Sequence, residues 1–467
     1  MLYSSTRGTP FLAANRLSLG AKPDEVQAIG NDPKAALAGQ IGANLERDPA
    51  WERFDTHAAR DAIAAYASLT SLSKNKRQAA RDLAQQMGRQ VRREGMQALL
   101  HTRMASVRGF AERWSGFLSN HLCISQSAGA AISAHLPLYE GAVIRRHCFG
   151  RYADLVYASA THSGMLIYLD QWRSIGPNSQ VGQRRKNAGL NENYARELME
   201  LHTLGVDGGY DLDDIQNLAK ILTGWTLASP NIIDRFAPNA DLSVGDACFI
   251  PALHEPGTKT VLGRSYAQGQ DATRAVIADL CAHPATARLL SQKLLIHFTG
   301  HAPEGDVAAL AHAYLNSDGD LAVLAHALLD LDSVWQADTL IFRQPFDYLI
   351  ALIRAINPQS YRQEIGTIAA AFLSGQRHVP WTAPSPQGFA EGVNAWADPN
   401  ALKSRTDFAR MVAGQLVDSG ARIDASDLGE RVLDLSAAPR LASALGNARD
   451  RDTALTLLFA SPQFMWR

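Results

Sequence analysis

Apolar residues recur at spacings of three and four along most of the chain, the period of helices with one buried stripe. The pattern covers 58–72, 76–100, 143–169, 271–282, 284–298 and 305–315, all rich in strong helix formers. Asp318-Gly319-Asp320 then supplies a turn, and 321–329 resumes the helix. One stretch departs from this period. Phe249-Ile250, a turn-rich 251–259 and Thr260-Val261-Leu262-Gly263 predict two short strands, with 223–227 as a further member of a small antiparallel sheet. In 379–399, Pro380, Pro384, Pro386 and Pro399 exclude a helix, and Trp381 and Trp396 predict an ordered loop anchored by aromatic rings. The expected fold is mainly α, a multi-layered helical body with a small antiparallel β-hairpin insert near 248–263. No flexible Gly/Ser or charged linker interrupts it. Residues 1–467 therefore read as a single integrated domain, with 336–342 the place for an internal sub-boundary.

A chain of 467 residues, 46% apolar and 19% charged, can bury a large core without disulfide staples. Its 45 basic and 46 acidic residues leave a net charge of −1, which argues against a general nucleic-acid binder. The basic run Lys74, Lys76, Arg77, Arg81, Arg89, Arg92 and Arg93 is interleaved with Gln and Ala rather than aromatics, so it reads as a solvated helix face. Cys123, Cys148, Cys248 and Cys281 are too widely spaced for a CxxC motif and read as buried free thiols. No apolar run approaches the roughly 18 residues of a membrane span. Residues 1–16 lack the apolar centre of a signal peptide, so the expectation is a cytoplasmic protein as written, without membrane association.

The densest chemistry runs from Asn191 to Gly205. Asn191 suits a helix N-cap and Gly205 a C-terminal stop, predicting a helix over 192–204. At about 100° per residue, Glu192, Asn193, Arg196, Glu197 and Glu200 share one face, with Ala195, Leu198, Met199 and Leu201 opposite. Two readings stand side by side. Glu192–Arg196 and Arg196–Glu200 are ordinary i,i+4 ion pairs on a surface helix, or the carboxylates face a cleft and hold a metal or move protons. Asp170, directly after an apolar run, must be exposed, capping or paired, and is expected to join that face. His254 lies in a Gly/Pro-rich loop beside Glu255 and Lys259, His162 precedes an apolar helix, and Trp225 is core or a substrate platform. The catalytic candidates are Glu192, Arg196, Glu197, Glu200 and Asp170, the binding candidates His162, His254, Lys259 and Trp225. Glu192, Glu200 and His254 are the ligands for a divalent metal ion.

The 191–205 run continues through Val206-Asp207-Gly208-Gly209-Tyr210 and closes with Leu222-Thr223-Gly224-Trp225. With it stand Arg113-Trp114, Phe117 and Asn120-His121; His162-Ser163-Gly164-Met165 and Tyr168-Leu169-Asp170; His254-Glu255-Pro256-Gly257-Thr258-Lys259; His283-Pro284-Ala285-Thr286-Ala287-Arg288 and Lys293-Leu294; and Pro386-Gln387-Gly388-Phe389 with Trp396. In this order the pieces resemble, over almost the whole chain, a bacterial family catalogued as domain of unknown function 1800. Ser163-Gly164, Gln171, Asp211-Leu212 and Phe389 depart from the usual pattern. The resemblance implies no activity. It implies a neighbourhood, because such proteins often stand beside a family resembling sulfatases and alkaline phosphatases, and many look exported. Two functions follow as expectations: an enzyme whose carboxylate/His/Arg pocket holds a divalent metal, or a non-catalytic binding or scaffold partner of a phosphatase/sulfatase-like protein.

Overall fold

The computed structural model describes residues 10–184, 189–336, 341–356 and 363–467. It is mainly helical, and many helices start at a capping side chain. Asp55 accepts from the backbone N–H groups of His57 and Ala58 at the head of Thr56–Ala67. Asp398 does the same for Asn400 and Ala401 at the head of Pro399–Asp418. The longest helix, α1 (Lys74–Ala105), buries Ala84, Gly88, Val91, Gly95, Ala98 and Leu99. Lys74, Lys76, Arg81, Arg89 and Arg93 are exposed to solvent, as a solvated helix face requires. Small residues on the buried stripe let α1 approach its neighbours closely: a Cβ on Gly95 would lie 2.3 Å from the Cβ of Pro137.

Apolar side chains gather into two large cores. The first takes α2 (Gly109–His121), α3 (Pro284–Thr299) and most of the chain before residue 336. The second takes α4 (Pro345–Ala355) and most of the chain after it. Two segments serve both. Ala13 and Leu17 pack in the first core while Ala14, Leu19 and Ala21 pack in the second, and α1 gives Leu99 to one and Met104 to the other. The chain passes between the cores within 336–342, of which 337–340 lie outside the described residues. Residues 341–343 pair antiparallel with 465–467, through Ile341 N to Arg467 O and Arg467 N to Ile341 O, both 2.8 Å. That pairing sets the Arg467 side chain at the junction of the two cores.

The continuous helix expected over 143–169 is broken into Tyr152–Ala160 and Ser163–Tyr168, preceded by a π-type turn at Glu140–Arg145. Tertiary pairing overrides the local period there. Tyr152 N donates to Gly319 O, and Leu321 N donates to Gly150 O. The strand region also differs in its partners. β1 (Trp225–Leu227) pairs with β2 (Ala247–Phe249), and β3 (Lys259–Val261) turns through Leu262-Gly263 onto β4 (Arg264–Tyr266). Two small antiparallel pairs thus replace a single sheet. Loop 379–399 is ordered around its tryptophans, with Trp381 buried and Trp396 Nε1 donating to Ala390 O at 2.7 Å. Among the described residues no helix is long and apolar enough to cross a membrane.

The α1–Pro137 crossing gives a direct test. A helix-interior Gly→Ala change ordinarily gains about 1 kcal/mol of propensity. At Gly95 the rigid proline ring cannot yield, so Gly95→Ala is expected to cost about 1–3 kcal/mol net. A urea midpoint lower than wild type would show it, and an unchanged or higher midpoint would contradict the close packing.

Candidate functional site

The residues singled out from the 191–205 run do not converge with the other candidates. The helix is Asn193–Glu197 followed by a π-type turn, Leu198–His202, rather than one α-helix to 204. Asn191 caps it one residue early, its Oδ1 accepting from Asn193 N at 3.0 Å. Arg196 and Glu200 form the i,i+4 pair at 3.3 Å, 42% and 27% exposed. Glu192 and Glu197 are half-buried. Partial burial, then the neighbouring Glu200, pushes the Glu197 carboxyl up. Asp170 does not join this face through its carboxylate. It is exposed, sits in the left-handed region at φ +56°, and pairs loosely with Arg173 at 3.8 Å, meeting Asn191 only through its backbone oxygen.

His162, His254, Lys259 and Trp225 are tied down elsewhere. His162 caps Ser163–Tyr168, its Nδ1 accepting from Gly164 N at 3.0 Å. His254 Nδ1 donates to Thr223 O at 2.7 Å, so its Nε2 is the acceptor for Gly269 N at 3.0 Å. Lys259 is buried with its ammonium on Glu255 O, and Asn178 occupies both oxygens of Glu255. Trp225 is buried, and its Nε1 donates to Thr273 at 3.1 Å. His162 is a helix cap, and His254, Lys259 and Trp225 are locks on a turn-rich segment, bonded within the fold. Among the described residues no group of three imidazole, thiol or carboxylate side chains is disposed to hold a metal. Glu192, Glu200 and His254 therefore do not assemble a metal centre, because His254 is spent in its own loop.

A different polar cluster lies where the two cores meet. Asp347, near the start of α4, takes Arg113 of α2 at 2.8 Å and Arg467 at 3.5 Å on the same oxygen, Oδ2. Glu391, on the tryptophan-anchored loop, accepts from His297 Nδ1 at 3.0 Å, Gln344 Nε2 at 2.9 Å and Asn120 Nδ2 at 3.2 Å. The loop is fastened along the end of α2. Asn120 exchanges hydrogen bonds with both backbone groups of Phe389, at 2.9 and 2.7 Å, and Ser125 Oγ donates to Ala383 O at 2.7 Å. Gly388 permits this contact: its φ is +85°, and a Cβ there would lie 2.4 Å from Asn120 O.

This junction borders a small, part-open pocket, with polar groups from Arg103, Arg113, His297 and His378 and apolar walls from Phe346 and Trp381. Arg103 is 7% exposed, yet its guanidinium makes no hydrogen bond or ion pair among the described residues, and its Nε is a buried orphan. It lies against the space left by Gly116 and over the Phe346 ring at 5.5 Å. His297 Nε2 and Arg113 Nε are also buried without partners. His378 Nδ1 accepts from Phe346 N at 3.1 Å, which leaves the ring proton on Nε2 as a donor. Burial holds the His378 imidazole down at about 4. Beyond Ser119 and Trp381 lies the buried carboxylate of Glu140.

On the other side of the Asn120–Phe389 contact is a second, part-open chamber, lined by His121, Lys293 and the Gly388 loop. Lys293 Nζ meets His121 Nδ1 at 3.1 Å, and His121 Nε2 meets Tyr152 OH at 2.7 Å. The Tyr152 hydroxyl donates to His202 O, so His121 must give its Nε2 proton to Tyr152 and accept from Lys293 at Nδ1. Burial, then Lys293 itself, holds the His121 imidazole well below its ordinary value, so it stays neutral. His202 faces inward beside His121 at the end of the π-type turn. Burial pushes the nearby Cys123 thiol up to about 12, which argues against a thiolate nucleophile.

Sequence patterns named some of this cluster without assembling it. Arg113, Asn120, His121, Lys293 and Phe389 belong to the motif pieces that carry the family resemblance, and all reach the junction. Arg103, His297, Asp347, His378 and Glu391 were missed. A signal existed for Asp347 and His297, each a polar residue flanked by apolar ones, in Pro345-Phe346-Asp347-Tyr348-Leu349 and Leu294-Leu295-Ile296-His297-Phe298, where burial demands a partner.

The ion pairs predict an acid-sensitive junction. For both carboxyls burial is an upward push, but Arg113 at Asp347 and His297 at Glu391 outweigh it, leaving them below their ordinary 3.8 and 4.5. A depressed folded-state pKa contributes stability that is fully present above the ordinary values and lost as pH falls through the lower folded ones. Wild type should therefore lose stability on acidification below about pH 4. Asp347→Asn should start about 3–5 kcal/mol less stable at pH 7, because it strands Arg113 and Arg467, and should show a flatter decline with acid. Parallel pH profiles for the two proteins would rule the pairing out as a stabilising feature.

No curated protein and no solved structure matches the chain. A family model described as "Protein of unknown function (DUF1800)" matches residues 12–466, nearly its whole length, and the chain belongs to that family.

Proposed function

We propose that the protein recognises a small molecule bearing a carboxylate or phosphate on an apolar body, and that the pocket between the two cores is its site. The observation that carries this reading is Arg103. A guanidinium cannot shed its proton to escape burial, and an uncompensated buried charge costs several kcal/mol. Asp347 attracts Arg103 only through space, without a hydrogen bond, and the four cations Arg103, Arg113, Arg467 and Lys293 stand against the three carboxylates of Asp347, Glu391 and Glu140. Asp347 is already shared by two arginines. Arg405 offers a contrast. Its guanidinium is also without hydrogen bonds, but it is sealed in the second core over the rings of Phe342 at 4.1 Å and Tyr348 at 5.2 Å. Arg103 instead lines open space. An anion there would gain a charge-assisted bond, with His378 Nε2–H as a second donor and Trp381 and Phe346 against the ligand's apolar part.

The test compares benzoate with its neutral isostere benzamide by thermal unfolding at fixed ionic strength. Benzoate should raise Tm of the wild type while benzamide should not. Arg103→Met, which removes the stranded charge and keeps an apolar stem, should have a Tm equal to or above wild type without ligand and no response to benzoate. Equal responses to the two probes, or a benzoate response that survives in Arg103→Met, would refute the reading.

A further inference from the structure

The second chamber carries chemistry independent of anion recognition at Arg103. We propose that Lys293 is a carbonyl-reactive amine, which forms an imine with an aldehyde or ketone small enough to enter the chamber beside the Gly388 loop. Three features of position support this. Lys293 is on α3 with its amine lining the chamber, and it makes no salt bridge among the described residues. Its hydrogen-bond partner, His121 Nδ1, is neutral and fixed as an acceptor by the Tyr152–His202 chain. One N–H of the amine is thereby oriented toward His121, which leaves the lone pair of the neutral amine to point elsewhere. The remaining charged and titratable groups bearing on Lys293 are Glu391, Cys123 and the buried His202. Glu391 favours the ammonium, but it is engaged by His297, Gln344 and Asn120, and burial outweighs it, so the amine sits below its ordinary value. Desolvation of this kind raises the share of neutral, nucleophilic amine at a given pH.

The step balances without an added oxidant or reductant. The Nζ lone pair attacks the carbonyl carbon, a C–N bond forms, and the C=O π pair moves to oxygen. A proton passes from nitrogen to that oxygen to give the carbinolamine. Loss of the hydroxyl with the second nitrogen proton, as water, leaves the C=N bond.

The probe is formaldehyde with cyanoborohydride on the intact wild-type protein at pH 7, in limiting amounts, read by peptide mass spectrometry. Reduction of the imine leaves a methylated lysine. Lys293 should be methylated at least ten-fold faster than exposed Lys403, and the ratio should shrink as pH rises toward 10, where exposed amines are also neutral. A Lys293 that reacts no faster than Lys403, or not at all, would make it a structural ammonium and overturn the proposal. The same outcome would leave the benzoate experiment at Arg103 untouched.

Discussion

A carboxylate buried between two arginines fixes the geometry of everything around it. Asp347 reaches Arg113 of the first core and Arg467 of the returning chain end through one oxygen. Three side chains from distant parts of the sequence must therefore arrive together or leave charges stranded in a poorly solvated place. Apolar packing alone is non-directional and would let the two cores slide. The shared carboxylate admits one registration, and Glu391 adds a second point by gathering α2, α3 and the residue preceding α4 onto the tryptophan-anchored loop. The pocket is the space these directional contacts cannot fill. Its polar walls follow from the same cause: groups recruited to hold the seam present their unused atoms to it.

The backbone around the seam serves this arrangement. The π-type turn at Leu198–His202 rotates His202 inward and presents its carbonyl to Tyr152, which sets the tautomer of His121. π-type turns recur at functional positions for this reason, since an inserted residue re-aims side chains without ending the helix. At the other wall, the positive φ of Gly388 brings a strained, proline-rich loop within bonding range of Asn120.

Much of the fold was legible in the sequence because it depends on local period and caps. His283 before Pro284 marks a helix start that the structure bears out. The break in 143–169 was not legible, because it arises from backbone pairing with residues 319–321, far along the chain. The site was legible only in fragments. Charge density drew attention to 192–200, where i,i+4 pairs suffice to explain the residues, whereas the buried charges of the seam are sparse and separated by up to hundreds of positions. Asp347 and Asp170 illustrate the difference. Each adjoins an apolar run, but Asp170 ends its helix in a left-handed turn and reaches solvent, whereas Asp347 lies inside one and must be paired.

The central claim is that Arg103 is a buried cation waiting for an anion at the junction of the cores. A crystal structure grown in bromide, with data collected at the bromine absorption edge, tests it most directly. An anomalous peak within hydrogen-bonding reach of the Arg103 guanidinium, inside the pocket, is the predicted result. Bromide confined to surface arginines, with Arg103 turned onto Asp347 or Glu140 and its charge thereby satisfied, would contradict it.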